Sequence, residues 1–196
     1  MTETLGFMAA VIGLLITPGP TNTLLAASGS QRGMRASVSL IPAELAGYLL
    51  AIALWGSVLG SLGERWEWLT VTLRIASALY IAYLALRMWR SATDMEVAAK
   101  AVVSHSGLFL ATLLNPKALL FAAAIFPQSA FRGPVEFVLP ALLFSLLLIP
   151  IAAFWIAFGT AVASGRLTWL SPFVIQRGAA VVLAGFSLSL GWSTLH

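Results

Sequence analysis

Residues 14–27 read LLITPGPTNTLLAA, and the placement of that stretch decides the fold. Its flanks are apolar, yet Pro18, Gly19 and Pro20 fall within one helical turn. A proline offers no N–H and its ring crowds the preceding turn, so a helix is broken or sharply kinked here. Pro18 and Pro20 leave the carbonyls of Leu14 and Ile16 without their usual donors. Hydrocarbon cannot satisfy such groups, so the break has to face protein or a water-filled cavity. The expectation is a membrane helix in two pieces, with Thr21 and Asn22 available to cap the second.

The composition agrees with a membrane setting. Of 196 residues, 60% are hydrophobic and 9% charged, and the mean hydropathy is +0.95. Soluble domains are about 25% charged. A surface this poor in charge would not keep a globule in water, which excludes a soluble enzyme, a nucleic-acid-binding module and a disordered chain. The formal charge of +4 is then expected in cytoplasmic loops rather than on a nucleic-acid-binding face. There is no cysteine and there are two histidines, so no metal site and no cofactor are implied. No Lys or Arg precedes Arg32, so the first apolar run reads as a retained span rather than a secretory signal.

A span needs about 20 mainly apolar residues. Six stretches qualify: 5–27, 37–62, 68–90, 106–127, 136–163 and 172–193. The turns SGSQRGMR, GERWEW, QSAFRGP and SGRLTW separate most of them, and the longest polar linker is 91–104. The chain therefore divides into a first three-helix unit at 1–90, a cytoplasmic linker at 91–104 and a second unit at 105–196. With the N-terminus outside, the cytoplasmic side receives Arg32, Arg35, Arg87, Arg90, Lys100 and Arg166. The outside receives Arg65, Arg74 and Arg132. That balance places both termini outside. Trp66, Trp68 and Trp192 would mark the outer interface, and Trp89 and Trp169 the inner one.

Pro18 and Pro116 are 98 residues apart, as are Pro42 and Pro140. Each half has an odd number of spans, so the second crosses the membrane in the opposite sense. The expected architecture is all-α and polytopic, with two inverted three-helix repeats whose first and fourth helices are broken by proline. Asn115-Pro116-Lys117 repeats the first break: Pro116 frees the carbonyl of Thr112, and Asn115 can cap the next helical piece.

Two broken helices near the midplane suit a zwitterion, with helix N-termini toward a carboxylate and freed carbonyls toward an ammonium group. The candidate substrate-binding residues are Thr17, Pro18, Gly19, Pro20, Thr21, Asn22, Asn115, Pro116 and Lys117. Glu44, the one acid well inside a span, is the candidate proton-coupling site. Lys117 either holds the substrate carboxylate or pairs with Glu44. Plainer readings stand beside these. A break can be a packed kink, and Glu44 can be a hydrogen-bonding bridge between helices. Arg74 can snorkel, and His105 lies at an interface. The spacings Ala43/Gly47/Ala51 and Gly56/Gly60 fit close helix packing. No nucleophile–base pair stands at membrane depth, so no enzyme is implied.

The stretch ITPGPTNTLLAASGSQRGMRAS, residues 16–37, resembles the N-terminal signature of the LysE/RhtB amino-acid exporters. LRIASALYIAYLALRMWRS, residues 73–91, is similar to their third span. GLFLATLLNPKALLFAAAIFPQ, residues 107–128, resembles their fourth, with its NPKxxxFxxxxxPQF core. Departures include Pro42, Ala78 and Ala85 where glycine is common, and Leu146 to Ile149 followed by Pro150 where many relatives carry an acid. The resemblance implies export of amino acids or related small amines across the bacterial cytoplasmic (inner) membrane, driven by protons. Pro18, Gly19, Pro20, Asn115, Pro116 and Lys117 match its motif positions. With one deep acid, a small neutral amino acid of the homoserine or threonine kind is expected rather than lysine or arginine. The alternatives are an exporter of a metal ion or toxic small amine, and a non-transporting membrane scaffold subunit. The partners implied are the amino acid, protons and the lipid bilayer; a homodimer is compatible with the sequence but not specified by it.

Overall fold

The structure is a computed structural model. It describes residues 2–63 and 103–165, together with isolated helical positions at 72, 75, 79, 82, 83, 86, 181, 184, 185 and 188. The third and sixth predicted spans lie mostly outside the described residues, as do most of the 91–104 linker and the basic residues and tryptophans assigned to those regions. Every regular element among the described residues is helical.

Helix α1 runs Thr2–Ile16 and α2 runs Pro20–Ser37, with Thr17 to Gly19 between them. The predicted turn SGSQRGMR is present within α2 at Gly33, where φ is 75°. That left-handed backbone costs glycine little, because there is no Cβ to clash. A 3-10 turn, Val38–Leu40, leads into α3, Ile41–Gly63. Pro42 sits in the first turn of α3, where its missing N–H breaks no hydrogen bond.

In the second half, α4 is His105–Leu113 and α5 is Pro116–Leu120, which continues as a π-helical turn over Phe121–Ile125. The two pieces meet at 45°. Ser104 starts α4 by accepting from the Gly107 N–H at 3.0 Å, the usual role of an N-terminal serine. After a 3-10 turn at Gln128–Phe131 comes α6, Pro134–Ala163, with Pro at its start and Glu136 in its first turn. Both choices suit a helix N-terminus. Gly165, with φ 69°, ends it. At 30 residues, α6 is roughly 45 Å long, more than a hydrocarbon core of about 30 Å, so it is long enough to cross at a tilt.

Small residues set the main packing contacts. The most extensive pairing is α2 on α6. A Cβ on Gly29 would stand 2.1 Å from the Ile156 carbonyl oxygen, and one on Gly159 would stand 1.8 Å from that of Ala26. The backbones thus touch at both places, and Thr160 Oγ1 donates to the Gly29 carbonyl at 3.0 Å. This is the small-residue contact of membrane helices, where dispersion and hydrogen bonds replace a hydrophobic drive. Gly47 does the same between α3 and α4, where a Cβ would come within 2.8 Å of the Phe109 carbonyl and of Thr112. On α6, Leu139, Leu142 and Leu146 are more than half exposed. An outer face of that kind is stable against lipid tails rather than water.

Candidate functional site

The two predicted breaks meet. Lys117 Nζ donates to the Thr17 carbonyl at 2.6 Å, and Asn115 Nδ2 reaches Thr21 Oγ1 at 3.4 Å. Glu44 enters from α3, beside Thr21 and within electrostatic range of Lys117. Thr17, Thr21, Asn22, Glu44, Asn115 and Lys117 are all buried, none more than 3% exposed. Pro18, Gly19 and Pro116 are half-buried, and Pro20 is exposed. The prolines therefore shape the site from outside, while the polar residues fill it.

Local chemistry explains each half. Asn115 caps α5 as expected, its Oδ1 accepting from the Lys117 backbone N–H at 3.0 Å. That bond orients the amide, so its Nδ2 must donate across the site. The first break departs from expectation. Gly19 is the capping residue just before α2, and it offers no side-chain cap. Asn22 instead turns back and donates to the carbonyls of Leu15, at 2.7 Å, and Thr17, at 2.8 Å. Donors are scarce in a buried break, and an amide within it can serve two acceptors at once.

Two of the freed carbonyls, those of Leu14 and Thr112, are likewise engaged within the chain. Thr17 Oγ1 donates to the Leu14 carbonyl at 2.7 Å. The Thr112 carbonyl accepts from the Asn115 N–H at 3.0 Å. An ammonium does stand beside the first break, that of Lys117. Its hydrogen bond goes to the Thr17 carbonyl, and none is made to Glu44. Gly19 makes this approach feasible, because a Cβ there would stand 3.0 Å from Lys117 Cε and Nζ.

Tyr48 was not among the residues singled out from the sequence. It is 1% exposed. Its hydroxyl accepts from Asn115 Nδ2 at 3.0 Å and lies 3.3 Å from Thr21 Oγ1. The available signal is its spacing: Tyr48 follows Glu44 by one helical turn and shares its face. Its ring meets Phe121 and Phe144 edge-on, each at 5.8 Å between centroids. Phe121 and Phe144 meet each other at 5.0 Å. One wall of the site is therefore polar and the other aromatic.

The donors have a direction. Both Nδ2 protons of Asn115 are directed at hydroxyls, one at Tyr48 and one at Thr21. The two hydroxyls lie 3.3 Å apart, each able to donate to the other. Glu44 Oε2 is buried without a hydrogen-bond partner, a property shared among the described residues only by Trp155 Nε1. A buried polar atom left unpaired is costly, so Glu44 is the one acid of the site whose hydrogen bonding is incomplete. Among the described residues no three His, Cys, Asp or Glu side chains gather in one place.

The profile of the LysE type translocator family matches residues 12–194. A homoserine/homoserine lactone efflux protein of Salmonella typhimurium is 31% identical over 120 residues, which cover 59% of this chain and 58% of that protein. The protein of the same name from Salmonella typhi is 30% identical, with the same coverage. The chain thus matches less than two thirds of the length of these relatives. An uncharacterized membrane protein of Pseudomonas aeruginosa is 24% identical across all of this chain and 97% of its own length. No solved structure matches the chain. The match covers both helix breaks and every residue of the site, and the family's members are translocators rather than enzymes: this chain is a membrane protein of the LysE type translocator family.

Proposed function

We propose that this protein exports a small neutral amino acid, homoserine or threonine in kind, from the bacterial cytoplasm in exchange for protons. It is then a multi-pass protein of the inner membrane, with six spans in two inverted halves, at 1–90 and 105–196, and both termini outside. Thr17 to Asn22 and Asn115 to Lys117 form the substrate site, and Glu44 carries the coupling proton. The observation that supports this most is the meeting of the two helix breaks. One from each half joins through Lys117 and Thr17, and the polar groups between them are buried. A closed, buried site between two repeats is what alternating access requires midway through a cycle. The names of the Salmonella relatives support an amino-acid-derived substrate. A residue as costly in the bilayer as Glu44 belongs on a proton path.

The test is efflux from proteoliposomes loaded with labelled L-homoserine, L-threonine and a panel of other amino acids, with and without an imposed pH gradient. Efflux of the small neutral group, faster with the gradient, is the expected result. No movement of any amino acid, with inserted and folded protein, overturns the reading in favour of an ion or amine exporter or a scaffold subunit.

A further inference from the structure

Three features coincide at the first break. The Thr17 carbonyl holds the Lys117 ammonium at 2.6 Å although Asn22 already donates to the same oxygen. Gly19 leaves that ammonium its room. Glu44, the buried acid that would ordinarily draw a buried ammonium, keeps Oε2 without a hydrogen-bond partner. A charged pair in low dielectric is most stable in direct contact. Here Lys117 instead rests on a neutral carbonyl, while one oxygen of the Glu44 carboxyl stands without a partner.

We propose that the Lys117 ammonium is the resident occupant of the substrate's amine subsite, seated on the Thr17 carbonyl, and that an arriving substrate ammonium displaces it toward the unpaired Oε2 of Glu44. The inference rests on the exporter reading and adds which atom takes the amine. Lysine suits the task, since its ammonium is a compact charge on a flexible stem with three donors. The exchange replaces one primary ammonium by another at the carbonyl. It also completes the Glu44 carboxylate only when cargo is aboard. The site then selects for a primary amine, because a ligand without one cannot displace Lys117 without leaving buried groups unpaired.

The experiment uses the full chain in nanodiscs, with binding read by tryptophan fluorescence. Three probes separate the groups: L-homoserine, 2,4-dihydroxybutyrate, which lacks the amine, and 3-amino-1-propanol, which lacks the carboxylate. In the native protein 2,4-dihydroxybutyrate is expected to bind about ten- to a hundredfold more weakly than L-homoserine, the value of one charge-assisted hydrogen bond. Lys117→Met removes the resident ammonium, so 3-amino-1-propanol is expected to bind about tenfold more tightly. Lys117→Gln supplies a second variant that keeps a donor for the Thr17 carbonyl. Equal binding of L-homoserine and 2,4-dihydroxybutyrate to the native protein overturns the proposal without any variant. So does a Lys117→Met protein that binds all three probes more weakly, as a fixed tether would give. So does one that loses only the two carboxylate-bearing probes, as a carboxylate-holding lysine would give. In these three cases the exporter reading survives. Binding of none of the probes, together with no amino-acid efflux from proteoliposomes, overturns both.

Discussion

Asn115 Nδ2 donates to the Tyr48 hydroxyl at 3.0 Å, joining the break in the fourth predicted span to the face of α3 that carries Glu44. Tyr48→Phe removes that acceptor and keeps the ring against Phe121 and Phe144. The loss of one buried hydrogen bond costs about 1 kcal/mol, so the protein is expected to fold with a slightly lower melting temperature. Efflux is expected to fall about tenfold if the hydroxyl also orients Thr21 toward Glu44. Efflux at the native rate would show that Tyr48 serves packing alone.

Asn22 serves two carbonyls of the first break, Leu15 and Thr17. In Asn22→Ala the Thr17 oxygen keeps Lys117, but the Leu15 oxygen loses this donor. Leaving one buried acceptor unpaired costs about 1–3 kcal/mol. Thermal unfolding in detergent is expected to show that loss, and Asn22→Asp is expected to be at least as damaging because a carboxylate would face two carbonyl oxygens.

The contact between α2 and α6 leaves no space for a methyl group at Gly29 or Gly159. Either residue changed to Ala has to push the helices apart, and overpacking of this kind costs about 1–3 kcal/mol. Gly13→Ala in α1 is the control, since nothing lies within 4 Å of its Cβ position. Equal melting temperatures for Gly159→Ala and Gly13→Ala would contradict the close approach.

Glu44→Gln keeps shape and removes the titratable group. Under the proposed coupling, efflux in this variant loses its acceleration by a pH gradient, while exchange of labelled for unlabelled amino acid continues. Glu136→Gln, at an exposed position of α6, is expected to keep the acceleration. A gradient response that survives Glu44→Gln would move the proton site elsewhere.

Arg32 ties α2 to the residues just before α4, donating to Ser28 Oγ at 2.9 Å and to the Val103 carbonyl at 3.2 Å. Ser28 and Ser37 beneath it are fully buried and 2.8 Å apart. The chain has no cysteine, so Ser37→Cys gives a single thiol. Its labelling by a maleimide is expected to be slow, and to speed up about tenfold or more when Arg32→Ala removes these charge-assisted bonds. Unchanged labelling would mean that Arg32 does not close this end.

Much of the site was legible along the chain because proline acts locally. Wherever Pro18, Pro20 and Pro116 sit, they remove donors from their own helix, and among so many apolar residues the broken pieces must be buried. The motif stretches around them carried the family resemblance, and Asn115 capped α5 as its position predicts. The partners of the freed groups were not legible. Asn22 could cap forward or reach back, and only the packed break made the carbonyls of Leu15 and Thr17 its nearest acceptors. That Lys117 would meet a carbonyl a hundred residues away was set by the fold. Tyr48 entered the site because α3 packs on α4 through Gly47, a contact no local pattern specifies. Covalent geometry is read residue by residue, so the sequence alone determined where the helices break. Which buried donor meets which acceptor depends on the approach of distant helices, and that was decided by the tertiary structure.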